Sequence, residues 1–193
     1  MIFGKISNKQ ANDIVVNKID GINIHYNFLE KEEESELLDI IECLPWEEEL
    51  KHKVQYYGFK YNYNKKKSSY KDYIGRIPQN LDFIREKLGF DYMQLVVDKY
   101  SNDQGMRYHT KSDIFDSNII LSPLKSDIVV YLKNEDMIEK LILKRRSIIV
   151  LQDNVLKNWQ IGIPFKKSDK FNNRVIQRDN DRILMTFRNI LLD

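Results

Sequence analysis

This sequence predicts an α+β fold, an antiparallel sandwich or jelly roll preceded by helices, and three observations carry that expectation. The second half of the chain is a succession of short β-branched and aliphatic runs, IFDSNIILS, SDIVVYL, EKLILKR, SIIVLQ and RILMTFRNILL, separated by polar turns. The first half alternates strand-like with helix-like segments. With 193 residues, 42% of them hydrophobic and only 7 Gly and 4 Pro, the chain is long enough to enclose one core and unlike a disordered or collagen-like sequence.

The elements follow in order. Residues 1–20 are polar and weakly patterned, and they read as an extended N-terminal arm, ordered by a partner, in which Lys5, Lys9 and Lys18 follow a phosphate path. Residues 21–193 form one domain with no linker and no internal repeat. GINIHYNF, from Gly21 to Phe28, alternates like a short strand. Glu32 to Leu44 has helical apolar spacing, and Pro45 stops it. Val54 to Tyr63 is strand-like, with aromatics on both faces. Asn80 to Leu88 reads as a helix ended by Gly89, and Tyr92 to Tyr100 (YMQLVVDKY) as a strand.

Several function classes are excluded at this point. No apolar run approaches 18 residues and MIFGKISNKQ has no apolar signal region, so the expectation is a cytoplasmic protein without a membrane partner. The single Cys43 can form neither an internal disulfide nor a thiolate zinc site.

Net charge is +2, but its distribution is uneven. Glu30 to Glu49 holds ten acidic residues against Lys31, which reads as the solvated face of a helix whose apolar side is Leu37, Leu38, Ile41 and Leu44. Lys51 to Arg76 holds eight Lys and Arg against Asp72, interleaved with Tyr56, Tyr57, Phe59, Tyr61, Tyr63, Tyr70 and Tyr73. Cations that hold phosphates beside planar rings that stack on bases make a nucleic-acid surface. The candidate contacts are Lys51, Lys53, Lys60, Arg76 and the Lys65-Lys66-Lys67 run on phosphate, with Tyr61 and Tyr63 on bases. Lys144, Arg145 and Arg146 form a second small patch or a turn between strands.

Four blocks also carry a family resemblance: LKHKVQYYGFKYNY, DKYSNDQGMRYHTK, LKRRSIIVLQDNVLKNWQIGIP and RILMTFR. In this order, and with the helix that follows GINIHYNFLEKEEESELL, the chain resembles the AlkB-like 2-oxoglutarate and Fe(II)-dependent dioxygenases, in particular the branch with the tRNA-modifying homologue. The resemblance implies a double-stranded β-helix, or jelly-roll, sandwich with the N-terminal helices packed on one sheet. It also makes the basic, tyrosine-rich segment the counterpart of a substrate-recognition hairpin.

Such an enzyme needs two His and one carboxylate around Fe(II). The resemblance puts these ligands at His109, Lys111 and Ile161, the first two in a His-x-Asp pattern on one strand and the third in a Trp-x-His-Gly-Ile-Pro-like run. An ammonium has no lone pair to donate, isoleucine cannot coordinate, and no His follows His109. His109 alone reads as a hydrogen-bonded histidine left in the old pocket. Asp113 and Asp116 are the nearest spare carboxylates, Asp113 the better placed. The 2-oxoglutarate positions are Asp98, Tyr100, Arg182 and Arg188. Asp98 stands where the family has Asn, and Leu184 replaces a polar residue between the arginines. Arg188 either grips a carboxylate or closes the last strand.

The expectation is therefore a catalytically inactive binding module, without metal and without cofactor, that acts on RNA. The partner is tRNA or ribosomal RNA, with ribosomal proteins as further candidates. The alternative is an active 2-oxoglutarate-dependent dioxygenase, with Fe(II) in an atypical site, acting on nucleic acid or protein.

Overall fold

The computed structural model describes residues 8–48, 51–60, 70–171 and 174–192. Its elements run α1 (Asn8–Lys18), β1 (Ile22–His25), α2 (Lys31–Cys43), β2 (Lys53–Phe59), β3 (Tyr73–Gly75), α3 (Phe83–Leu88), β4 (Gln94–Tyr100) and β5 (Met106–His109), then β6 (Phe115–Leu124), β7 (Ile128–Lys133), β8 (Ile138–Leu143), β9 (Ile148–Gln152), α4 (Asp153–Asn158), β10 (Gln160–Ile163), β11 (Ser168–Phe171), β12 (Arg174–Gln177) and β13 (Arg182–Ile190). Two antiparallel sheets face each other, one of seven strands in the order β1-β9-β6-β13-β4-β2-β3 and one of four in the order β5-β10-β7-β8. β11 and β12 form a separate hairpin.

Strand alternation gives the seven-stranded sheet two different faces. Ile183, Met185 and Phe187 of β13 join Leu95 and Val97 of β4 in a core capped by Leu37 and Ile41 of α2 and by Phe83 and Ile84 of α3. There Phe187 meets Phe83 and Tyr92 edge-on, with ring centroids 5.4 and 4.9 Å apart. Leu184 and Tyr100, from the alternate positions, join the core between the two sheets. α2 and α3 thus pack on one sheet of a jelly roll, as the sequence predicts, whereas α1 docks on the other sheet at β8.

α2 starts at a reciprocal cap between Glu30 and Glu33, with the Glu30 N–H donating to Glu33 Oε2 at 2.8 Å, and it ends before Pro45. α3 ends at Gly89, whose φ of 61° is the left-handed value that glycine adopts without penalty. Gly58 is required for another reason. A Cβ there would lie 1.9 Å from Met93 O, so β2 and β4 approach closely only over a glycine.

Two expectations are corrected here. Residues 8–18, assigned to an extended arm, form α1, which packs Val15, with Ile19 just beyond its end, into the core between the sheets. Fully buried Asn12 fixes it further: Nδ2 donates to Ile142 O at 2.8 Å and Oδ1 accepts from Ile142 N at 3.0 Å, on the outer edge of β8. One buried position of the helix is therefore polar, because it satisfies a sheet edge, and no amphipathic period shows.

The acidic stretch is likewise more than a solvated face. Glu34 is fully buried and accepts from Arg145 Nε at 2.8 and 2.7 Å and from Lys125 N at 2.8 Å. Glu33 pairs with Lys87, Glu42 with Lys99 and Glu47 with Lys60. Among the described residues no helix is long and apolar enough to cross a membrane.

Candidate functional site

The inner face of the seven-stranded sheet and the ends of β5 and β10 enclose a cavity of about 600 Å³. β4 and β13 pair antiparallel with Arg182 opposite Tyr100 and Leu184 opposite Asp98. β5 and β10 pair with His109 opposite Ile161. Asp98, Tyr100, His109, Lys111, Ile161, Leu184 and Arg188 all line the cavity. The three positions of the resemblance's ligand set therefore meet at one site.

His109 and Lys111 do not share a strand as expected. β5 ends at His109, and Lys111 lies in the turn beyond it, where its ammonium donates to Phe115 O at 2.5 Å. His109 Nδ1 lies 3.0 Å from Arg107 O. A carbonyl only accepts, so Nδ1 carries the proton of the neutral ring. Desolvation, with the Arg188 charge adding to it, moves the His109 pKa below its ordinary value. Asp113 is exposed in the turn before β6, and Asp116 accepts from its neighbour Ser117 at 2.6 Å. Neither lines the cavity.

The residual co-substrate positions divide. Arg188 stays at the cavity, its guanidinium 4.3 Å from the Phe115 ring centroid. Arg182 turns to the loop that follows β4, donating from one terminal nitrogen to Ser101 O at 2.7 Å and to Gln104 O at 2.8 Å. It is 1% exposed, and burial together with Arg178 pulls its pKa down to about 10. Gly105 closes the same loop against β10, where a Cβ would lie 2.0 Å from Ile163 O.

Asp98 is held by His52, which sequence reasoning missed. His52 Nε2 donates to Asp98 Oδ1 at 2.7 Å, and its ring lies 4.5 Å from the Tyr100 ring. The signal was slight: His52 is one of only three His in the chain, and its partner is 46 residues away. The carboxylate expected to repel an anionic ligand thus faces the imidazole of His52.

The donor set does not fit Fe(II). The three ligand positions supply one imidazole, one ammonium and one alkyl group. Among the described residues no group of three or more His, Cys, Asp or Glu could hold a metal.

The two basic patches also differ. Lys144 pairs with Asp127 and Arg145 with Glu34. The backbone of Arg146 (φ 64°) forms the turn into β9, so the second patch is a neutralised hairpin turn. In the first patch, Lys60 pairs with Glu47 at 2.6 Å and lies 5.2 Å from the Tyr56 ring centroid. Tyr56 faces the cavity. Tyr57 packs inward, donating to Gln55 Oε1 at 2.9 Å, and burial raises its pKa to about 12. Lys51, Lys53 and Arg76 are exposed. So are Lys71, Tyr70 and Tyr73, which were not singled out as contacts, Tyr70 at 74% and Tyr73 at 48%. Tyr61, Tyr63, Lys65, Lys66 and Lys67 lie outside the described residues.

No protein-family model matches the chain. It is 27% identical over 186 residues to "Uncharacterized protein L905" of Acanthamoeba polyphaga mimivirus, covering 90% of this chain and 86% of that one. It is 27% identical to the "Alkylated DNA repair protein ALKBH8 homolog" of Arabidopsis thaliana and 22% identical to a "DNA N6-methyl adenine demethylase" of Caenorhabditis elegans, covering 95% and 76% of this chain. The chain spans 64% and 55% of the length of those two relatives.

Among solved structures, OsALKBH1 matches with a TM-score of 0.64 at 12% identity, over 88% of this chain and 98% of that one. An oxidoreductase of the 2OG-Fe(II) oxygenase family from Burkholderia pseudomallei matches at 0.56 and 10%, over 96% and 90%. These neighbours correct the expectation of a protein without a cofactor. The fold is that of oxygenases whose class is defined by Fe(II) and 2-oxoglutarate. By its relatives and its fold together, the chain is similar to the AlkB-like 2-oxoglutarate dioxygenases.

Proposed function

We propose that this chain binds RNA on the face formed by β2, β3 and the segment around them, and that it works by binding rather than by oxidation. One observation carries the reading. Lys51, Lys53, Lys71 and Arg76 are exposed with no carboxylate partner among the described residues, beside exposed Tyr70 and Tyr73. The other basic patch is paired off with Asp127 and Glu34. A surface that keeps its cations unpaired beside exposed rings suits phosphates and splayed bases. The names of two relatives give DNA as what those proteins act on, which supports nucleic acid as the ligand class. Within that class our choice is RNA, as tRNA or ribosomal RNA.

Fluorescence anisotropy with matched single-stranded RNA and DNA probes, across a salt series, tests the reading. Lys53→Glu with Arg76→Glu should weaken RNA binding for all sequences and reduce the salt slope by roughly 0.7 for each phosphate no longer neutralised. Tyr73→Ala should cost about 1–3 kcal/mol of binding with little change in slope. Unchanged affinity and slope in both variants would refute the RNA face. A preference for DNA would move the proposal to the other nucleic acid.

A second reading, turnover with a relocated ligand set, is favoured by the cavity itself. His52, Asp98 and His109 all line it, and two imidazoles with one carboxylate are the donor types of a facial triad, although as placed the three do not form a group that could hold a metal. Against it, His52 Nε2 is engaged by Asp98. Substrate-dependent release of succinate, abolished by His52→Ala, would establish turnover in place of binding.

A further inference from the structure

We infer that the cavity between the sheets is a binding site for an amphipathic anion: a carboxylate on an aliphatic body, seated with its head at Arg107, Lys51 and Lys111 and its body against Met106, Ile119, Ile161 and Leu184. This site shares Lys51 with the RNA face, and its test rests on Arg107 and Ile119, which lie outside that face.

The charge inventory comes first. The cavity is lined by the cations Lys51, Arg107, Lys111 and Arg188, and among the described residues Asp98 is the one carboxylate on its wall. Asp98, which accepts from His52 at 2.7 Å, carries one negative charge and offsets at most one of Lys51, Arg107 and Lys111. Lys51 and Arg107 are exposed and have no side-chain partner among the described residues. Lys111 gives one hydrogen to Phe115 O and has two more to offer. Cations gathered at a partly enclosed mouth raise the local concentration of anions.

The interior has the opposite character. Behind that mouth the wall is aliphatic: Met106, Ile119 and Ile161 are half-buried, Leu184 lies deeper and Phe165 stands exposed at the rim. Two of these side chains replace polar ones of the resembled family, Ile161 at a ligand position and Leu184 between the arginines. A volume of about 600 Å³ is within the range of small-molecule sites.

The apolar wall decides among anions. A nucleotide base would set part of its ring nitrogens and exocyclic groups against the aliphatic side chains Met106, Ile119, Ile161 and Leu184, at a cost of a few kcal/mol for each group left unpaired. A short dicarboxylate has no alkyl body to cover the aliphatic part of the wall. An alkyl chain loses nothing there and gains roughly 0.8 kcal/mol per buried CH₂.

The test is isothermal titration of the full-length protein with octanoate, octan-1-ol, 2-oxoglutarate and adenosine monophosphate. Octanoate should saturate a single site, and the other three should bind at least tenfold more weakly. Arg107→Glu should weaken octanoate at least tenfold and leave octan-1-ol unchanged, whereas Ile119→Asn should weaken both. Thermal unfolding of each variant separates a lost site from a lost fold, and the ligand series on the unaltered protein stands whether or not a variant folds. Octan-1-ol, 2-oxoglutarate or the nucleotide binding as tightly as octanoate would overturn the inference, as would no saturable binding of octanoate.

Discussion

Removing the Asn12 amide should destabilise the whole domain, although Asn12 lies in a segment that reads as a loose arm. Asn12 is fully buried and makes both hydrogen bonds to Ile142 on the edge of β8, at 2.8 and 3.0 Å, with a third to Tyr26 Oη at 3.1 Å. Asn12→Ala leaves a buried N–H and a buried C=O without partners, each costing about 1–3 kcal/mol. Water entering the vacated space returns part of that, so the expected loss is about 2–4 kcal/mol, a large share of the roughly 5–15 kcal/mol that a domain has. Asn12→Asp should be worse, because a carboxylate accepts from Ile142 N but sets negative charge against Ile142 O. Urea unfolding followed by circular dichroism gives the measurement. With a slope of about 2 kcal/mol per molar, the midpoint of the alanine variant should fall by roughly 1–2 M with the slope unchanged. A fall below about 0.25 M would mean that α1 is not docked on β8, and the arm reading would return.

Phe187→Ala, at the junction of α3 and the large sheet, should cost about 3–5 kcal/mol in the same assay, because it empties a fully buried site with two edge-on aromatic neighbours. Lys111→Asp with Ile161→His should create affinity for Co(II), visible in its absorption bands, because residue 161 faces His109 across the β5–β10 pair. A folded double variant that stays colourless would show that the ends of these strands no longer converge as ligands must. For His109 the pKa is lower in the folded than in the unfolded protein, so the unfolded state takes up the proton first. Its contribution to stability is complete above the unfolded value near 6.5 and is lost as pH falls through the folded value. His109→Gln should flatten that acid limb of the stability profile, and an unchanged limb would count against a desolvated, neutral ring.

What could be read in the sequence is what local pattern decides. Leu37 and Ile41 before Pro45 announce α2, and the alternation in YMQLVVDKY and RILMTFRNI announces β4 and β13, because one face of each is core and the pattern repeats over many residues. Segments whose structure comes from elsewhere in the chain were opaque. MRYH and QIGI become β5 and β10 by pairing with each other, and SDKF and RVIQ make a hairpin fixed by buried Asp169 on Arg178 at 2.6 Å. The site shows the same division. His109, Lys111 and Ile161 were identifiable from motif order, but the His52 bond to Asp98 spans 46 residues, and the Glu34 pair with Arg145 spans 111. No local window contains either.

The same alternation explains how ligand positions can change while the fold persists. On β13 the residues that face α2 and α3, Ile183, Met185 and Phe187, are fully buried and carry the packing of the helices. The residues between them, Leu184, Thr186 and Arg188, face the cavity between the sheets, Leu184 as part of the core there. The replaced ligands sit on ground that matters still less to packing. His109 is the last residue of a short strand, Lys111 follows it in a turn, and Ile161 is half-buried on a four-residue strand. An alkyl group replacing an imidazole at such a place leaves the core packing intact, and where it faces an apolar wall it adds to it. Substitution at the strand ends therefore disturbs the packing of α2 and α3, which rests on Ile183, Met185 and Phe187, less than substitution on the opposite face of β13 would. Selection on the ligand alone is free to rewrite the cavity wall, and Ile161 with Leu184 is such a rewriting in the apolar direction.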